Sequence, residues 1–149
     1  MAVAVKRVYE APSPSDGVRV LVDRLWPRGL TKKDAAVKRW LRDLAPSTEL
    51  RQWFHANPEA WLFFRKRYLK ELVSLEASTA LEKLHALAQS GKNLTLLYAS
   101  RNEEYNNAIV LKELLEGARK PPSSVGRRAS GRGRIRKSKK QLVNFQTEN

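Results

Sequence analysis

Three short apolar runs have the composition of β-strands. Each run is rich in large or β-branched residues and is bounded by turn-forming residues; the runs cover residues 3–9, 18–25 and 94–99. In the second run, Val20, Leu21 and Val22 are consecutive, which is typical of a strand buried on both faces of a parallel sheet. The pattern therefore predicts three strands.

Between the second and third runs, and again after the third, apolar residues recur with the 3.6-residue period of a helix. Ser, Thr, Asn, Pro and Gly mark the beginnings and ends of these segments. The first predicted helix is capped by Thr31 and runs toward Leu44, and the second starts at Ser47 or Thr48 and runs through Phe54. A third starts at Asn57-Pro58, and a fourth ends at Gly91. The last predicted helix runs from Glu103 to Gly117.

Strands separated by helices predict an α/β fold, with a small, mainly parallel sheet flanked by helices. Its crossovers should be right-handed, with helices on both faces. In open sheets of this kind, ligands bind beyond the carboxyl ends of the strands. We therefore expect the loops at residues 23–29 and 100–107 to be neighbours.

The positive charge is concentrated near the C-terminus. The 149 residues carry a net charge of +14, of which residues 118–149 contribute +9, with 10 Lys and Arg against one acid. Residues 1–117 hold 19 Lys and Arg against 14 Asp and Glu. We predict a single domain over residues 1–117 and a basic, disordered tail over residues 118–149, because the tail is too charged to form a core. Such a tail could bind nucleic acid without sequence preference.

Several classes of protein are not indicated. The chain has no cysteine and no apolar run long enough for a membrane span, and its start does not resemble a signal peptide; a cytoplasmic location is the expectation. Two His residues without ligand spacing predict no metal site. No glycine-rich nucleotide-binding motif is present, so the sequence indicates no particular cofactor.

The loop at residues 23–29, Asp-Arg-Leu-Trp-Pro-Arg-Gly, holds the most promising chemistry. Arg24 and Arg28 could clamp an anion, because guanidinium groups match planar oxyanions bidentately. Asp23 could orient an arginine or act as a base, and Trp26 could stack on a ring. The alternative is that Asp23 forms an ion pair with Arg24 or Arg28 and only fastens the loop.

A histidine outside this loop is a second candidate for a base. His55 is a candidate general base because histidine is the residue type best suited to proton transfer near neutral pH. The alternative is that this lone histidine near a helix end is a capping or packing residue. His85 lies in a helix rich in Ala and Leu and is expected to be structural.

Taken together, the motifs of the chain resemble the YeaO-like branch of a family of unknown function. The matching segments are residues 6–9, 15–17, 20–29, 46–51, 54–55, 64–65, 68, 71–72 and 94–98, within residues 3–116. The resemblance implies a family but no settled biochemical role, and it does not include the basic tail.

Two positions depart from what the resemblance implies. Tyr98 stands where the wider family has a cysteine at a strand end, and Asn106-Asn107 stand where YeaO-like members often have Asn-His. If that histidine is the family's catalytic base, the present chain is impaired, although Asn107 can still hydrogen-bond a ligand.

Three hypotheses follow. The first is a domain that binds an anionic small molecule or nucleotide, and that would be an enzyme if a base acted on the ligand. The second is a nucleic-acid-associated protein that binds through its tail, and the third is a non-enzymatic interaction module whose motif loop is structural. For the first, the candidate catalytic residues are Asp23 and His55, and the candidate ligand-binding residues are Arg7, Arg24, Trp26, Arg28, Ser100, Arg101 and Asn107.

Overall fold

The computed structural model describes residues 2–118, without the side chain of Ala118. Its sheet has four parallel strands, in the order β1-β4-β2-β3. They are β1 (Val3–Arg7), β2 (Val18–Leu21), β3 (Arg39–Trp40) and β4 (Leu94–Tyr98). The predicted α/β fold with a parallel sheet is confirmed. The predictions for the basic tail lie outside the described residues.

Within residues 2–118, five α-helices accompany the sheet, together with two 3-10 turns at Pro14–Asp16 and Arg42–Leu44. They are α1 (Lys32–Ala35), α2 (Thr48–Ala56), α3 (Trp61–Glu71), α4 (Leu75–Ala88) and α5 (Asn107–Ala118). The hydroxyls of Ser47 and Ser74 cap α2 and α4 by accepting the amide hydrogens of Leu50 and Ala77. None of the helices within residues 2–118 has the length and apolar composition needed to cross a membrane.

The prediction of one helix from Thr31 to Leu44 is wrong. Thr31 does cap a helix, but α1 ends at Ala35, and the next residue, Ala36, adopts a left-handed conformation with φ of 51°. The chain then pairs with β2 as the short edge strand β3, and the amide of Leu41 donates to the carbonyl of Leu21. Tertiary pairing therefore overrides the helical spacing of the apolar residues.

Other boundaries also differ from the predictions. Asn57 closes α2 instead of opening α3, since its side-chain amide donates to the carbonyl of Trp53. The helix predicted from Glu103 begins at Asn107, because Asn102 Oδ1 accepts the amides of the two residues before Asn106 and holds a turn there. These shifts leave the order of the predicted elements unchanged.

The two faces of the sheet are covered differently. Helices α2 to α5 pack against the face that carries Val20 and Leu96, and they form the larger core cluster. The opposite face carries Leu21 and Leu97 and is covered by the loop after β2 together with Ala35 of α1.

The strand order places a switch point between β2 and β4 at the carboxyl edge of the sheet, and we call the region between the loops that follow these two strands the crevice. After β2 the chain moves outward through α1 to β3, whereas after β4 it returns through α5, which packs on β1 and β4. Adjacent parallel strands whose connections leave in opposite directions form the switch point at which open α/β sheets bind ligands. The loops after β2 and β4 meet there.

Candidate functional site

Asp23 joins the loops that follow β2 and β4. Its Oδ2 accepts the backbone amide of Ala99 at 2.8 Å, and its Oδ1 accepts Asn107 Nδ2 at 3.0 Å. Asn107 Nδ2 also donates to the carbonyl of Val22 at 3.0 Å. We call this group, Asp23 with Ala99 and Asn107, the Asp23 junction. It fixes the start of α5 against the carboxyl ends of the two strands.

The electrostatics of the Asp23 junction are dominated by burial. Burial raises the pKa of Asp23 above its ordinary value, and the hydrogen bonds from Ala99 and Asn107 and the positive charge of Arg51 offset only part of that rise. The carboxyl group therefore keeps its proton to a higher pH than an exposed aspartate does.

Arg51 is near enough to this site for its charge to lower the pKa of Asp23, although no local sequence signal points to it. It lies on α2, is exposed, and makes no hydrogen bond or ion pair to any residue within 2–118, although its charge acts on Asp23. The start of α2 is held in place by Glu71, whose carboxylate accepts the amide and the hydroxyl of Ser47 at 2.8 and 2.6 Å. Arg51 belongs to one of the matched motifs, but nothing local in the sequence links it to Asp23.

Arg24 is directed to the backbone that precedes α2. Its guanidinium donates to the carbonyls of Ala45 at 3.1 Å and Pro46 at 3.5 Å. The ion pair considered for the motif loop is not formed, since Asp23 has no salt bridge to Arg24 or Arg28 in the described part of the chain. Arg24 thus links the loop after β2 to the start of α2.

Trp26 is half-buried on the opposite face of the sheet. Its indole Nε1 donates to the carbonyl of Leu30 at 2.6 Å, and its ring meets the ring of Trp40 edge-on, with centroids 5.4 Å apart. Trp40 in turn donates to the carbonyl of Asp23 at 2.7 Å. These contacts make Trp26 part of the smaller core cluster, away from the crevice.

Arg7 closes the loop after β4. Its guanidinium donates to the carbonyls of Ser100 at 3.0 Å and Ala99 at 3.1 Å, and it lies 5.1 Å from the centre of the Tyr9 ring. The hydroxyl of Ser100 accepts the amide of Asn102 at 3.1 Å. Arg7 and Ser100 are therefore held by contacts within the protein.

Three candidate residues are exposed, and their side chains have no partner within residues 2–118. Arg28 is held only through its carbonyl, which accepts the hydroxyl of Tyr9 at 2.9 Å. The side chains of Arg28, Arg101 and His55 have no hydrogen-bond or ion-pair partner within residues 2–118. His55 lies one turn beyond Arg51 on α2, so these two side chains are neighbours on the helix surface.

The structure thus brings part of the predicted set together. Asp23, Asn107, Arg7, Ser100 and Arg24 meet at the carboxyl edge of the sheet. No group of three or more potential metal-ligating His, Asp or Glu side chains occurs in the described part of the chain.

A surface pocket lies outside the crevice, beside the edge strand β3. It has a volume of about 390 Å³ and lies between α4 and the segment that contains β3. Its lining residues are Trp40, Leu41, Arg42, Asp43, Leu75, Glu76, Thr79, Ala80 and Lys83. None of the predicted site residues is among them. We place the candidate site at the crevice because polar groups from several elements converge there.

These features define a small α/β domain with a polar junction at the switch point of its sheet. The chain belongs to the family described as the inactive DUF488-N3 subclade, whose model matches residues 2–131. The family resemblance inferred from the motifs is therefore confirmed. The match extends beyond the range that those motifs covered and into the basic segment.

Bacterial relatives cover most of the domain. The protein named "Uncharacterized protein YeaO" from Escherichia coli (strain K12) is 44% identical over 115 residues, which are 77% of this chain and 97% of the relative. A relative from Mycobacterium tuberculosis (strain ATCC 25618 / H37Rv), also named as an uncharacterised protein, is 45% identical over 116 residues, or 77% of this chain and 94% of the relative. No solved structure matches the chain.

Proposed function

We propose that this protein binds an anionic small molecule in the crevice between the loops after β2 and β4, and that Arg51 is the main charge partner of the ligand. The observation that supports this proposal is the placement of Arg51. It is exposed and unpaired within the described residues, yet close enough to the half-buried Asp23 for its charge to act on that carboxyl group.

Two other exposed arginines support the proposal that the ligand is an anion. Arg28 follows β2 and Arg101 follows β4, so both lie on loops at the carboxyl edge, and both are exposed. A guanidinium without a protein partner can offer its full set of donors to a carboxylate or a phosphate. Arg24 and Arg7 would have a positioning role, since their donors are already used on backbone carbonyls.

The same site favours binding over catalysis. Each carboxylate oxygen of Asp23 already accepts a protein donor, and Asn107, which cannot exchange a proton near neutral pH, holds one of them. His55 is exposed and has no partner within residues 2–118 to orient its ring. The description of the family as an inactive subclade agrees with a binding protein that has lost a reaction.

Removing the guanidinium of Arg51 tests this proposal. A thermal-shift screen of nucleotides, sugar phosphates and carboxylates should find ligands that raise the melting temperature, and titration calorimetry then gives their Kd. A charge-assisted hydrogen bond contributes about 1.5–3 kcal/mol, so Arg51→Gln should weaken binding by roughly 10- to 100-fold.

Arg39→Gln is the matched control, because Arg39 is also an exposed arginine but lies on the edge strand β3. It should leave the affinity unchanged. If the two variants bound every anion as the wild type does, Arg51 would not be the charge partner and the proposal would be wrong.

A second candidate function is nucleic-acid binding through residues 118–149, and the charge of +9 on that segment favours it. Lys and Arg that neutralise phosphates release counterions, so such binding should be weak, independent of sequence and strongly reduced by salt. We would compare the full chain with a chain ending at Gly117 against labelled DNA and RNA at two salt concentrations.

The shorter chain should lose the binding and keep the melting temperature, because the removed segment contains few core-forming residues. Equal binding by both chains, or binding that salt does not weaken, would rule out the segment as the contact.

A further inference from the structure

Three aromatic side chains from three different elements meet beside the crevice. Phe54 on α2 and Trp61 at the start of α3 have ring centres 5.9 Å apart, and Trp61 and Tyr105 have ring centres 5.1 Å apart. We call Phe54, Trp61 and Tyr105 the aromatic wall. Tyr105 is 42% exposed, and the other two rings are half-buried. The wall thus extends from the core to the surface.

The aromatic wall borders the proposed anion site from two sides. Phe54 follows Arg51 by three residues on α2, so their side chains lie next to each other on the helix. Tyr105 precedes Asn107 by two residues, and Asn107 donates to Asp23. The wall therefore bridges the helix that carries Arg51 and the loop that leads into the Asp23 junction.

Part of the aromatic wall is accessible to solvent. Phe54 and Trp61 also contact Phe64, which is only 2% exposed, and these contacts account for their role in the core. Tyr105 adds a ring on the outer side of Trp61. A partly accessible aromatic wall that begins next to Arg51, an arginine with no partner within residues 2–118, is suited to a ligand that has a flat ring at one end and an anionic group at the other.

We propose that the ligand is a nucleoside phosphate, whose base stacks on Trp61 and Tyr105 while its phosphate binds Arg51. This inference rests on the proposed function, because it uses the same anion site. His55, one turn beyond Arg51, provides a further hydrogen-bond donor to the phosphate. Stacking on aromatic side chains tolerates all bases, since every base has a π-face. We therefore assign the class of ligand and not a particular base.

The experiment compares ligands that share the phosphate but differ in the base. The full-length chain is titrated with the four nucleoside monophosphates, ribose 5-phosphate and inorganic phosphate. At least one nucleoside monophosphate should bind ten or more times more tightly than ribose 5-phosphate. It should also quench tryptophan fluorescence, because Trp61 would be in contact with the base.

Tyr105→Ala tests the wall directly. It should weaken nucleotide binding by about 5- to 150-fold, the effect of losing one stacked base, and should leave the binding of ribose 5-phosphate unchanged. Tyr105→Phe keeps the ring and should retain most of the affinity. Leu62→Ala is the control, since Leu62 is 69% exposed beside Trp61 but is not part of the aromatic wall.

The outcomes distinguish this inference from the proposed function. If ribose 5-phosphate or inorganic phosphate binds as tightly as the nucleotides and Arg51→Gln weakens both, the anion site stands and the nucleotide inference is overturned. The same holds if Tyr105→Ala folds normally and binds nucleotides as the wild type does. If a carboxylate binds but no phosphate does, the anion site also stands and the nucleotide inference is overturned. If no anion in the screen binds, or if Arg51→Gln has no effect, the proposed function fails together with the inference.

Discussion

Replacing Asp23 with alanine should destabilise the protein in a way that depends on pH. The substitution removes the acceptors of two hydrogen bonds, from the amide of Ala99 at 2.8 Å and from Asn107 Nδ2 at 3.0 Å. Asn107 keeps its bond to the carbonyl of Val22. The amide of Ala99 loses its acceptor and gains none within the protein.

The expected loss can be worked out from these two donors. A buried donor left without a partner costs about 1–3 kcal/mol, and a hydrogen bond to a charged group contributes about 1.5–3 kcal/mol. Part of this loss is offset, because the variant no longer buries an ionised carboxylate. We expect Asp23→Ala to lower the free energy of unfolding by about 2–4 kcal/mol.

The pH dependence follows from the raised pKa of Asp23. Because the folded protein holds this proton more tightly than the unfolded chain, the wild type gains stability as the pH falls through the raised pKa, and the gain is complete below the ordinary pKa. The variant lacks the group. The stability difference between the two proteins should therefore be larger in acid than at neutral pH.

Urea denaturation at a series of pH values, with the linear extrapolation to water, measures this difference. Asp23→Asn is the control, since it keeps the side-chain volume and one acceptor but turns an amide NH₂ toward the second donor. It should lose about half of the unfolding free energy that Asp23→Ala loses. A loss of unfolding free energy below about 1 kcal/mol in Asp23→Ala would refute this prediction. A loss that grows toward neutral pH would also refute it, because an ion pair between Asp23 and Arg51 would have that effect.

Three further substitutions test other parts of the structure by the same denaturation assay. Arg28→Ala should change the unfolding free energy by less than about 1 kcal/mol, because the side chain is exposed and unpaired in the described part of the chain; a loss of about 3–5 kcal/mol would reveal a buried charge pair. Gly17→Ala should cost at least about 2 kcal/mol, because φ is +66° and a Cβ would overlap the carbonyl of Asn93. Asp16→Asn should destabilise the protein at neutral pH and less in acid. Burial raises the pKa of Asp16, but hydrogen bonds from Ser13, Lys6 and Arg19 outweigh burial and lower it. The contribution of the Asp16 carboxylate to stability is therefore lost as the pH falls through that lowered pKa.

Elements with a strong local pattern could be predicted from the sequence, whereas β3 could not. The apolar run that became β4 is buried at all five positions, and Ser47 caps α2 as its position suggested. The edge strand β3 has two residues and follows Ala36, an alanine in a left-handed conformation. No Gly or Pro marks that turn, and the spacing of the nearby apolar residues suits a helix, so only the pairing with β2 reveals the strand.

The candidate site was predictable at the level of the sheet edge but less so at the level of side chains. Parallel strands bring the loops after β2 and β4 together, as expected from the order of elements. Whether an arginine points to a ligand or to a backbone carbonyl depends on neighbours that are remote in the chain. For this reason the sequence could not show that Arg24 and Arg7 donate to backbone carbonyls or that Arg51 lies near Asp23.

The central position of β4 has a consequence for biosynthesis. Both β1 and β2 pair with β4, and they do not pair with each other. While the ribosome is still making the first 93 residues, β1 therefore has no partner in the sheet and β2 can pair only with the short β3. Completion of the sheet waits for the last strand, and such long-range pairing slows folding and leaves strand edges open in the nascent chain. Stalled chains that end before Leu94 should depend on chaperones, whereas chains that include α5 should not.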